Sequence, residues 1–173
     1  MTKILIVEDE KVVAIDIKRR LENLGYNVTD LISSGERSLE SIAENPPDLV
    51  LMDIKLEGKM DGVETAHLIR KHFNVPVIYL TAYYDEEILE RAQKTEPFSY
   101  ILKPFHDQEL YASIKIAIYR QQVESRLRYM SMHDPLTKLY NRSYFEEEIH
   151  RLRAGRFNPL GIIMCDLDGL KLI

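Results

Sequence analysis

Ile4-Leu5-Ile6-Val7-Glu8-Asp9 decides the fold, because a short apolar run rich in β-branched residues leads directly into two carboxylates. Such a run is too short for an isolated helix and is typical of a buried strand in a parallel sheet. Three later runs also end on a polar residue: Leu49-Val50-Leu51-Met52 before Asp53, Val77-Ile78-Tyr79-Leu80 before Thr81, and Tyr100-Ile101-Leu102 before Lys103. The repeated pattern predicts buried strands with polar residues at their carboxyl ends.

The order of the apolar runs predicts the fold class. Amphipathic helical stretches separate five predicted strands, near residues 3–8, 27–32, 48–53, 75–81 and 98–102. This alternation indicates right-handed βαβ crossovers and a doubly wound α/β fold, with helices on both faces of a parallel sheet. One of these helices is expected to begin at Asp85. In open α/β sheets the carboxyl ends of the strands form the ligand crevice, so the polar residues should converge there.

Size and composition limit the classes of function. The 173 residues suffice for one well-buried domain of about 120 residues and a remainder. No apolar run approaches the roughly 20 residues of a membrane span, and no signal-peptide pattern is present, so a cytoplasmic location without membrane partners is expected. The net charge of −5 argues against nonspecific binding to nucleic acid. The single cysteine, Cys165, has apolar neighbours and is interpreted as a small buried hydrophobic residue.

The predicted crevice has the chemistry of a phosphoryl site. Three carboxylates there, from Glu8, Asp9 and Asp53, would raise one another's pKa unless a cation compensated them. Magnesium prefers oxygen ligands and leaves positions open to phosphate oxygens. Asp53 ends the central strand and is the candidate nucleophile towards phosphorus, with Lys103 and the Thr81 hydroxyl stabilising the transferred group. Each residue alone is compatible with a helix cap or a solvated side chain, but their joint occurrence favours the phosphoryl site.

The same residues resemble a known family, the receiver domain of two-component response regulators. The resemblance covers about residues 1–120 and rests on Glu8-Asp9, Asp53, Thr81-Ala82 and Lys103-Pro104-Phe105. It implies a flavodoxin-like sheet with strand order 2-1-3-4-5. It also implies that Asp53 accepts a phosphoryl group from a sensor histidine kinase, with no enzymatic activity beyond autophosphorylation and autodephosphorylation. Propensity alone leaves both a cis and a trans Lys103-Pro104 peptide open.

The resemblance also implies roles for individual residues. Asp9 and Asp53 would bind Mg²⁺ directly, Glu8 through water, and Lys55 through its backbone carbonyl. Thr81 would turn towards the phosphoryl group while Tyr100 moves inward, which changes the face of the fourth helix, fifth strand and fifth helix. Two features depart from the family pattern. Glu8 stands where Asp is more usual, and the loop of residues 55–61 lacks the usual proline and is one residue longer.

The last predicted receiver helix is unusually long. It begins near Asp107 and contains no Gly or Pro before Pro135. Five apolar residues recur along it at spacings of three or four: Ile116, Tyr119, Val123, Leu127 and Met130. Two interpretations remain open. The first two residues could face the receiver core, or the whole stripe could form a short coiled coil that joins two protomers as a homodimer. Residues 121–131 are assigned to a linker helix.

Residues 132–173 form a second segment that starts with a different motif. His133-Asp134-Pro135-Leu136-Thr137 and Leu139-Tyr140-Asn141-Arg142 resemble the start of a GGDEF domain, the diguanylate cyclase module. By that resemblance Asp166 binds a catalytic metal ion and Lys171 lies near nucleotide phosphates. The spacing of Ser143 and Glu146 predicts a capping box at the start of a helix that reaches Leu152. Residues 160–164 are predicted to form a strand. We expect this segment to be a truncated α/β fragment that lacks cyclase activity.

Three functions compete at this point. The leading hypothesis is a phosphorylation-controlled response regulator whose output, in a longer polypeptide, is cyclic di-GMP synthesis. The alternative is a stand-alone receiver that controls a partner by docking and dimerisation, with a vestigial tail. A phosphotransfer enzyme or phosphatase acting on small molecules is the third, and no general acid or substrate pocket supports it. A phosphorelay role for His133 is disfavoured because Pro135 would interrupt the helix that such a histidine needs.

Overall fold

The computed structural model contains a five-stranded parallel sheet in the order β2-β1-β3-β4-β5. It describes residues 1–82, 91, 95, 97–154 and 161–165. The strands are β1 (Lys3–Val7), β2 (Asn27–Ile32), β3 (Leu49–Asp53), β4 (Val77–Thr81) and β5 (Ser99–Leu102). The described helices are α1 (Lys11–Asn23), α2 (Gly35–Glu44), α3 (Gly62–Phe73), α4 (Asp107–Met132) and α5 (Arg142–Ala154). The predicted flavodoxin-like fold class is confirmed. The helix expected to begin at Asp85 lies outside the described residues, so α4 here is the fifth helix of the receiver pattern.

Alternate residues of the strands build two hydrophobic clusters, one on each face of the sheet. Ile4, Ile6, Leu49 and Leu51 belong to the cluster that also contains residues of α1 and α4. Leu5, Val7, Val50 and Met52 belong to the other, together with residues of α2 and α3. Successive side chains of a strand point to opposite faces, and in β1 and β3 both faces are buried. This explains why both strands are continuous apolar runs in the sequence.

Strand register brings the polar residues that follow the strands to the same edge. Val7 pairs with Met52, Asp53 with Leu80, and Thr81 with Leu102. Glu8 follows Val7 and is therefore level with Asp53, whereas Lys103 follows Leu102 and lies two residues beyond that level. The Lys103 side chain reaches back to both carboxylates. The edge therefore forms from residues far apart in sequence.

The start of α3 lies close to the end of β3. Asp61 caps α3 by accepting a hydrogen bond from the Glu64 amide at 2.8 Å, and the Glu64 carboxylate accepts one from the Asp61 amide at 3.3 Å. This capping box satisfies amides that the first helical turn leaves unpaired. Gly62 comes next, and a Cβ atom built on it would lie 1.9 Å from the Asp53 carbonyl oxygen. Only glycine permits this approach of α3 to the end of β3.

The long helix α4 presents an apolar stripe to solvent. Ile116 is 61% exposed and Tyr119 is 69% exposed, whereas Leu110, Ile114 and Ala117 are buried. Of the two interpretations left open, the one in which Ile116 and Tyr119 face the core is therefore wrong. The core-facing side of the helix carries Leu110, Ile114 and Ala117. The other members of the stripe, Val123, Leu127 and Met130, are exposed as well. None of the described helices combines the length and apolar character needed to cross a bilayer.

The chain divides into two compact units, residues 1–124 and 125–173. In the second unit His133 and Tyr140 form an antiparallel bridge, and Asn141 caps α5 by accepting a hydrogen bond from the Tyr144 amide at 2.9 Å. The capping box predicted at Ser143 is wrong, because Ser143 already lies inside the helix. Two further hydrogen bonds hold Asn141 at the start of α5. The Asn141 backbone amide donates to the Met132 carbonyl at 2.8 Å, and the Asn141 side-chain amide donates to the Ser131 carbonyl at 2.7 Å.

The end of the second unit differs from the sequence prediction. Residues 161–165 are described, but they form no strand, and Cys165 is exposed instead of buried. Apolar neighbours predict burial only when another surface covers them, and Ile163 and Met164 are themselves more than 90% exposed. Asp166 and Lys171 lie outside the described residues. The predicted domain limits at residues 120 and 132 remain predictions.

Candidate functional site

Three carboxylates meet at the carboxyl edge of the sheet. Glu8 and Asp9 follow β1, and Asp53 ends β3. One carboxylate oxygen from each residue lies within 4.8 Å of the other two. The Glu8 side chain is fully buried and that of Asp53 is 14% exposed. The structure thus brings together the three acidic residues that the sequence analysis selected.

Lys103 supplies the positive charge at this edge. Its ammonium group donates to Glu8 Oε2 at 2.6 Å and to Asp53 Oδ2 at 2.5 Å. The Lys103 backbone amide donates to the Thr81 carbonyl at 2.8 Å, which continues the pairing of β4 and β5 by one residue. The peptide between Lys103 and Pro104 is cis. The ammonium therefore links the carboxylates that follow two different strands.

Burial and charge act against each other in this cluster. Burial raises the pKa of Glu8 from 4.5 to about 7, the Lys103 hydrogen bond opposes that rise, and the negative charge of Asp53 adds to it. Burial alone would lower the pKa of Lys103, but its contacts with Asp53 and Glu8 outweigh burial and raise that pKa. Lys103 therefore remains charged at neutral pH. One ammonium faces three carboxylates, so the site has an excess of negative charge.

The donor set fits a hard divalent cation. Glu8 Oε1 is buried and has no hydrogen-bond partner among the described residues. A buried carboxylate oxygen without a partner costs free energy that a cation could offset. Oxygen ligands from a few carboxylates are the set that Mg²⁺ uses when it also binds phosphate. Glu8, Asp9 and Asp53 are therefore a candidate magnesium site.

The backbone around Asp53 holds its carboxylate in place. The Lys55 amide donates to Asp53 Oδ1 at 3.0 Å, so Oδ1 and Oδ2 each have a donor. The Gly62 amide donates to the Ile54 carbonyl at 3.0 Å. The sequence analysis assigned a role to the Lys55 carbonyl and missed Gly62. The Asp61-Gly62 pair at the start of an amphipathic helix was the available signal, although the close approach itself is visible only in three dimensions.

Thr81 and Tyr100 lie on β4 and β5, the two strands that follow β3 in the sheet. Thr81 ends β4 and is 6% exposed. Tyr100 lies in β5, opposite Tyr79, and the centres of the two rings are 5.6 Å apart. The Tyr100 hydroxyl is buried and has no hydrogen-bond partner within the described part of the chain. The hydroxyl therefore already points into the protein. Asp166, the remaining candidate metal ligand, lies outside the described residues.

Comparison with known proteins gives two family matches. The model of the response regulator receiver domain matches residues 4–115. That of the diguanylate cyclase GGDEF domain matches residues 131–173. The transcriptional regulatory protein PdtaR of Mycobacterium tuberculosis is 31% identical over 118 residues, which cover 68% of this chain and 57% of PdtaR. The chain spans about half the length of the curated relatives it matches.

Solved structures of receiver domains are similar to the first unit. The receiver domain of a modulated diguanylate cyclase from Desulfovibrio desulfuricans G20 is 37% identical, with a TM-score of 0.70, and the match covers 72% of this chain and 98% of that one. The receiver domain of sensor histidine kinase PA1611 from Pseudomonas aeruginosa PAO1, with magnesium in its active-site cleft, is 33% identical. Its TM-score is 0.62, and the match covers 68% of this chain and 97% of that one. The chain therefore belongs to the response regulator receiver domain family, and its receiver domain is followed by a segment that matches the GGDEF domain.

Proposed function

We propose that this receiver domain accepts a phosphoryl group on Asp53 from a sensor histidine kinase in a magnesium-dependent reaction. The observation that carries the proposal is the Lys103 ammonium, which contacts both Asp53 and Glu8 within a cluster of three carboxylates. Here one ammonium faces three carboxylates, and the remaining negative charge is what a bound Mg²⁺ would neutralise, so that an incoming phosphoryl group would not be repelled.

The residues divide the work of the transfer. An Asp53 carboxylate oxygen attacks phosphorus, and the bond between phosphorus and the kinase imidazole nitrogen breaks, so the nitrogen keeps the electron pair. The product is an aspartyl phosphate. Lys103 offsets charge on the transferred group, and the Thr81 hydroxyl is in reach of the same edge through its position at the end of β4. Glu8, Asp9, Asp53 and the Lys55 carbonyl would hold Mg²⁺, which neutralises phosphate charge; the magnesium in the cleft of the PA1611 receiver supports this assignment.

An apolar surface beside the site supports a protein phosphodonor. A cavity of about 520 Å³ is lined by Val12, Val13 and Ile17 of α1 and by Pro104 and Phe105 after Lys103. Val12 is 81% exposed, and Ile15 on the same helix is 60% exposed. Exposed apolar side chains next to a reactive carboxylate suit a helical protein partner better than a small, highly charged phosphate donor. We also propose that the protein is cytoplasmic, as the sequence analysis expects.

The proposed output passes along α4. Thr81 and Tyr100 would respond to phosphorylation, and the face of the family's fourth helix, fifth strand and fifth helix would change. The exposed stripe of α4 would pair with a second copy of the chain to form a homodimer, with residues 121–131 as the linker. The natural output would be cyclic di-GMP synthesis, as the GGDEF match at residues 131–173 supports. A receiver domain is not itself an enzyme, and the 173 residues contain no Gly-Gly-Asp-Glu-Phe signature, so we expect them to form no cyclic dinucleotide from GTP.

A second candidate is a stand-alone receiver that acts by docking and dimerisation. The exposed apolar stripe of α4 favours it, because pairing through that stripe would need no output domain. Cyclic dinucleotide formation from GTP and Mg²⁺ by a chain extended through a complete GGDEF domain would exclude it.

Intact-mass measurement after acetyl phosphate treatment tests the phosphoacceptor. We expect one phosphoryl adduct on the wild-type chain with Mg²⁺, and none with EDTA or after Asp53→Ala. Asp30→Asn is the matched control, because Asp30 is an acidic residue of β2 outside the carboxylate cluster, and it should retain the adduct. An adduct that survives Asp53→Ala would overturn the proposal.

A further inference from the structure

Tyr79 is completely buried, yet its hydroxyl makes a polar contact with a residue outside the sheet. It lies in the middle of β4, is 0% exposed, and is the largest fully buried side chain among the described residues. Its hydroxyl makes a hydrogen bond of 2.9 Å with Thr95 Oγ1. Thr95 is itself 7% exposed and lies in the connection between β4 and β5. The contact therefore joins the core of the sheet to that connection.

Tyr79 also lies next to the residues of the phosphoryl site. Side chains two residues apart in a strand share a face, so Tyr79 and Thr81 are on the same side of β4. Tyr79 pairs in register with Tyr100, and their rings stack. Movement of β4 at Thr81 or of the Tyr100 ring would therefore reach Tyr79 directly.

Thr95 borders a cavity, which leaves room for its side chain to change position. A cavity of about 690 Å³ is lined by Thr95 and Arg91 of the connection and by apolar residues such as Met60, Val63 and Leu68. Arg91 makes an ion pair of 2.7 Å with Asp61, the capping residue of α3. Both partners of that pair are partly exposed, so solvent and salt weaken it. The hydrogen bond between Tyr79 and Thr95 is buried, so solvent and salt weaken it less than the ion pair between Arg91 and Asp61.

A hydroxyl at Tyr79 is not needed to fill the core. Phenylalanine would occupy nearly the same volume without a polar atom to satisfy, whereas a buried hydroxyl costs free energy unless it is hydrogen-bonded. Burial also raises the pKa of the Tyr79 hydroxyl above its ordinary value, which keeps it neutral. The role of the Tyr79 hydroxyl is therefore its hydrogen bond with Thr95, since packing alone does not require it.

We propose that Tyr79 is a positioning residue, whose hydrogen bond couples phosphorylation of Asp53 to the position of Thr95. This inference rests on the proposed phosphoacceptor function and adds a route by which the state of the site reaches the surface. The two states of Thr95 differ in whether its hydrogen bond with Tyr79 is made. Coupling of this kind requires an element with two arrangements that both sites bias.

Hydrogen-exchange mass spectrometry on the full chain tests the coupling. Exchange in peptides that contain Thr95 is measured with Mg²⁺ alone and with Mg²⁺ plus beryllium fluoride, a phosphoryl mimic. In the wild type we expect the mimic to change the exchange rate by about threefold or more. In Tyr79→Phe and in Thr95→Val that change should fall below about half, and the double variant should show no further loss. Thr95→Ser keeps the hydroxyl and should restore the wild-type response.

Tyr26→Phe is the matched control. It also removes the hydroxyl of a buried tyrosine, but this hydroxyl has no hydrogen-bond partner among the described residues, and Tyr26 belongs to the other hydrophobic cluster. It should respond as the wild type does. Intact mass is recorded on every variant after acetyl phosphate treatment. An adduct on Asp53 together with a full wild-type response in Tyr79→Phe would overturn the coupling alone. No adduct on the wild type would overturn the proposed function and the coupling together.

Discussion

The two units of this chain are ordered by different means. In residues 1–124 a parallel sheet has a hydrophobic cluster on each face, and every buried side chain among the described residues lies in this unit. In the second unit the order is local. Tyr129 and His133 stack with ring centres 3.8 Å apart, Tyr140 and Tyr144 stack at 4.1 Å, and the Asp134 carboxylate accepts from the Leu136 and Thr137 amides.

This difference explains where chemistry is possible. A cluster of three carboxylates and one ammonium needs a rigid frame, because each charge must stay in place while others repel it. The sheet of the first unit supplies that frame through contacts between residues that are distant in sequence. The contacts described for the second unit join residues no more than ten positions apart, and they leave its side chains partly or largely exposed. Substitutions in the two units should therefore differ sharply in cost.

The largest contrast should come from one leucine in each unit. Leu51 is fully buried in β3, and Leu136 is 89% exposed in the second unit. We expect Leu51→Ala to lower the free energy of unfolding by about 2–5 kcal/mol, because it leaves a cavity in the core. Leu136→Ala should change it by less than about 0.5 kcal/mol. Urea unfolding followed by circular dichroism measures both. Equal losses for the two variants would mean that the second unit has a packed core after all.

A pair of glycines gives the next contrast. A Cβ atom at Gly62 would lie 1.9 Å from the Asp53 carbonyl oxygen, whereas one at Gly161 meets nothing within 4 Å. We expect Gly62→Ala to destabilise the first unit by about 1–3 kcal/mol, since backbone must move to relieve the overlap. It should also slow phosphorylation, because Asp53 moves with that backbone. Gly161→Ala should leave both unchanged. Thermal unfolding and the rate of adduct formation with acetyl phosphate are the measurements. An unchanged rate in Gly62→Ala would show that the position of α3 does not affect the reactivity of Asp53.

The pH dependence of the two units should have opposite sign. In magnesium-free protein the Glu8 pKa is raised to about 7 from 4.5, so between these values the folded state binds more protons than the unfolded state. Glu8 therefore lowers stability as pH rises through that window. Hydrogen bonds from the Thr137 amide and hydroxyl lower the pKa of Asp134 below 3.8. Asp134 stabilises its turn above pH 3.8, and that contribution is lost as pH falls through its lowered folded-state pKa.

Glu8→Gln measures the first of these effects. With EDTA present, we expect the variant to exceed the wild type in unfolding free energy at pH 8 by on the order of 2 kcal/mol, and to match it near pH 4. Urea unfolding across this range gives the difference. A wild type that gains stability relative to Glu8→Gln as the pH rises would show that Lys103 outweighs burial.

The same contrast sets how much the sequence could predict. Short apolar runs located four of the five strands, because a strand with its faces buried has few polar residues. β2 is the exception: it contains Asn27, Thr29 and Asp30 and is mostly partly exposed, and its position between helical stretches located it. The edge where Glu8, Asp53 and Lys103 meet followed from the geometry of parallel sheets. The approach of Gly62 to Asp53 and the contact of Tyr79 with Thr95 depend on how elements pack, which no local pattern encodes. In the second unit the exposure of Cys165 was mispredicted, since apolar neighbours indicate burial only where another surface covers them.

The smallest expected effect concerns the cap of α5. Asn141 and Ser143 are both good capping residues by type, and the sequence favoured Ser143 because Glu146 follows three residues later. In the structure Asn141 accepts from the Tyr144 amide, and Glu146 pairs with Arg142 instead. We expect Asn141→Ala to weaken α5 by about 1 kcal/mol and Ser143→Ala to have almost no effect.

Hydrogen exchange in α5 peptides distinguishes the two caps. Because the second unit is held by local contacts, exchange in α5 should rise in Asn141→Ala while exchange in β1 and β3 stays at the wild-type level. Faster exchange in α5 of Ser143→Ala, with Asn141→Ala unchanged, would restore the capping box that the sequence suggested. Faster exchange in β1 and β3 of Asn141→Ala would instead show that the second unit contributes to the stability of the first. A helix cap can affect distant strands only if the two units unfold together.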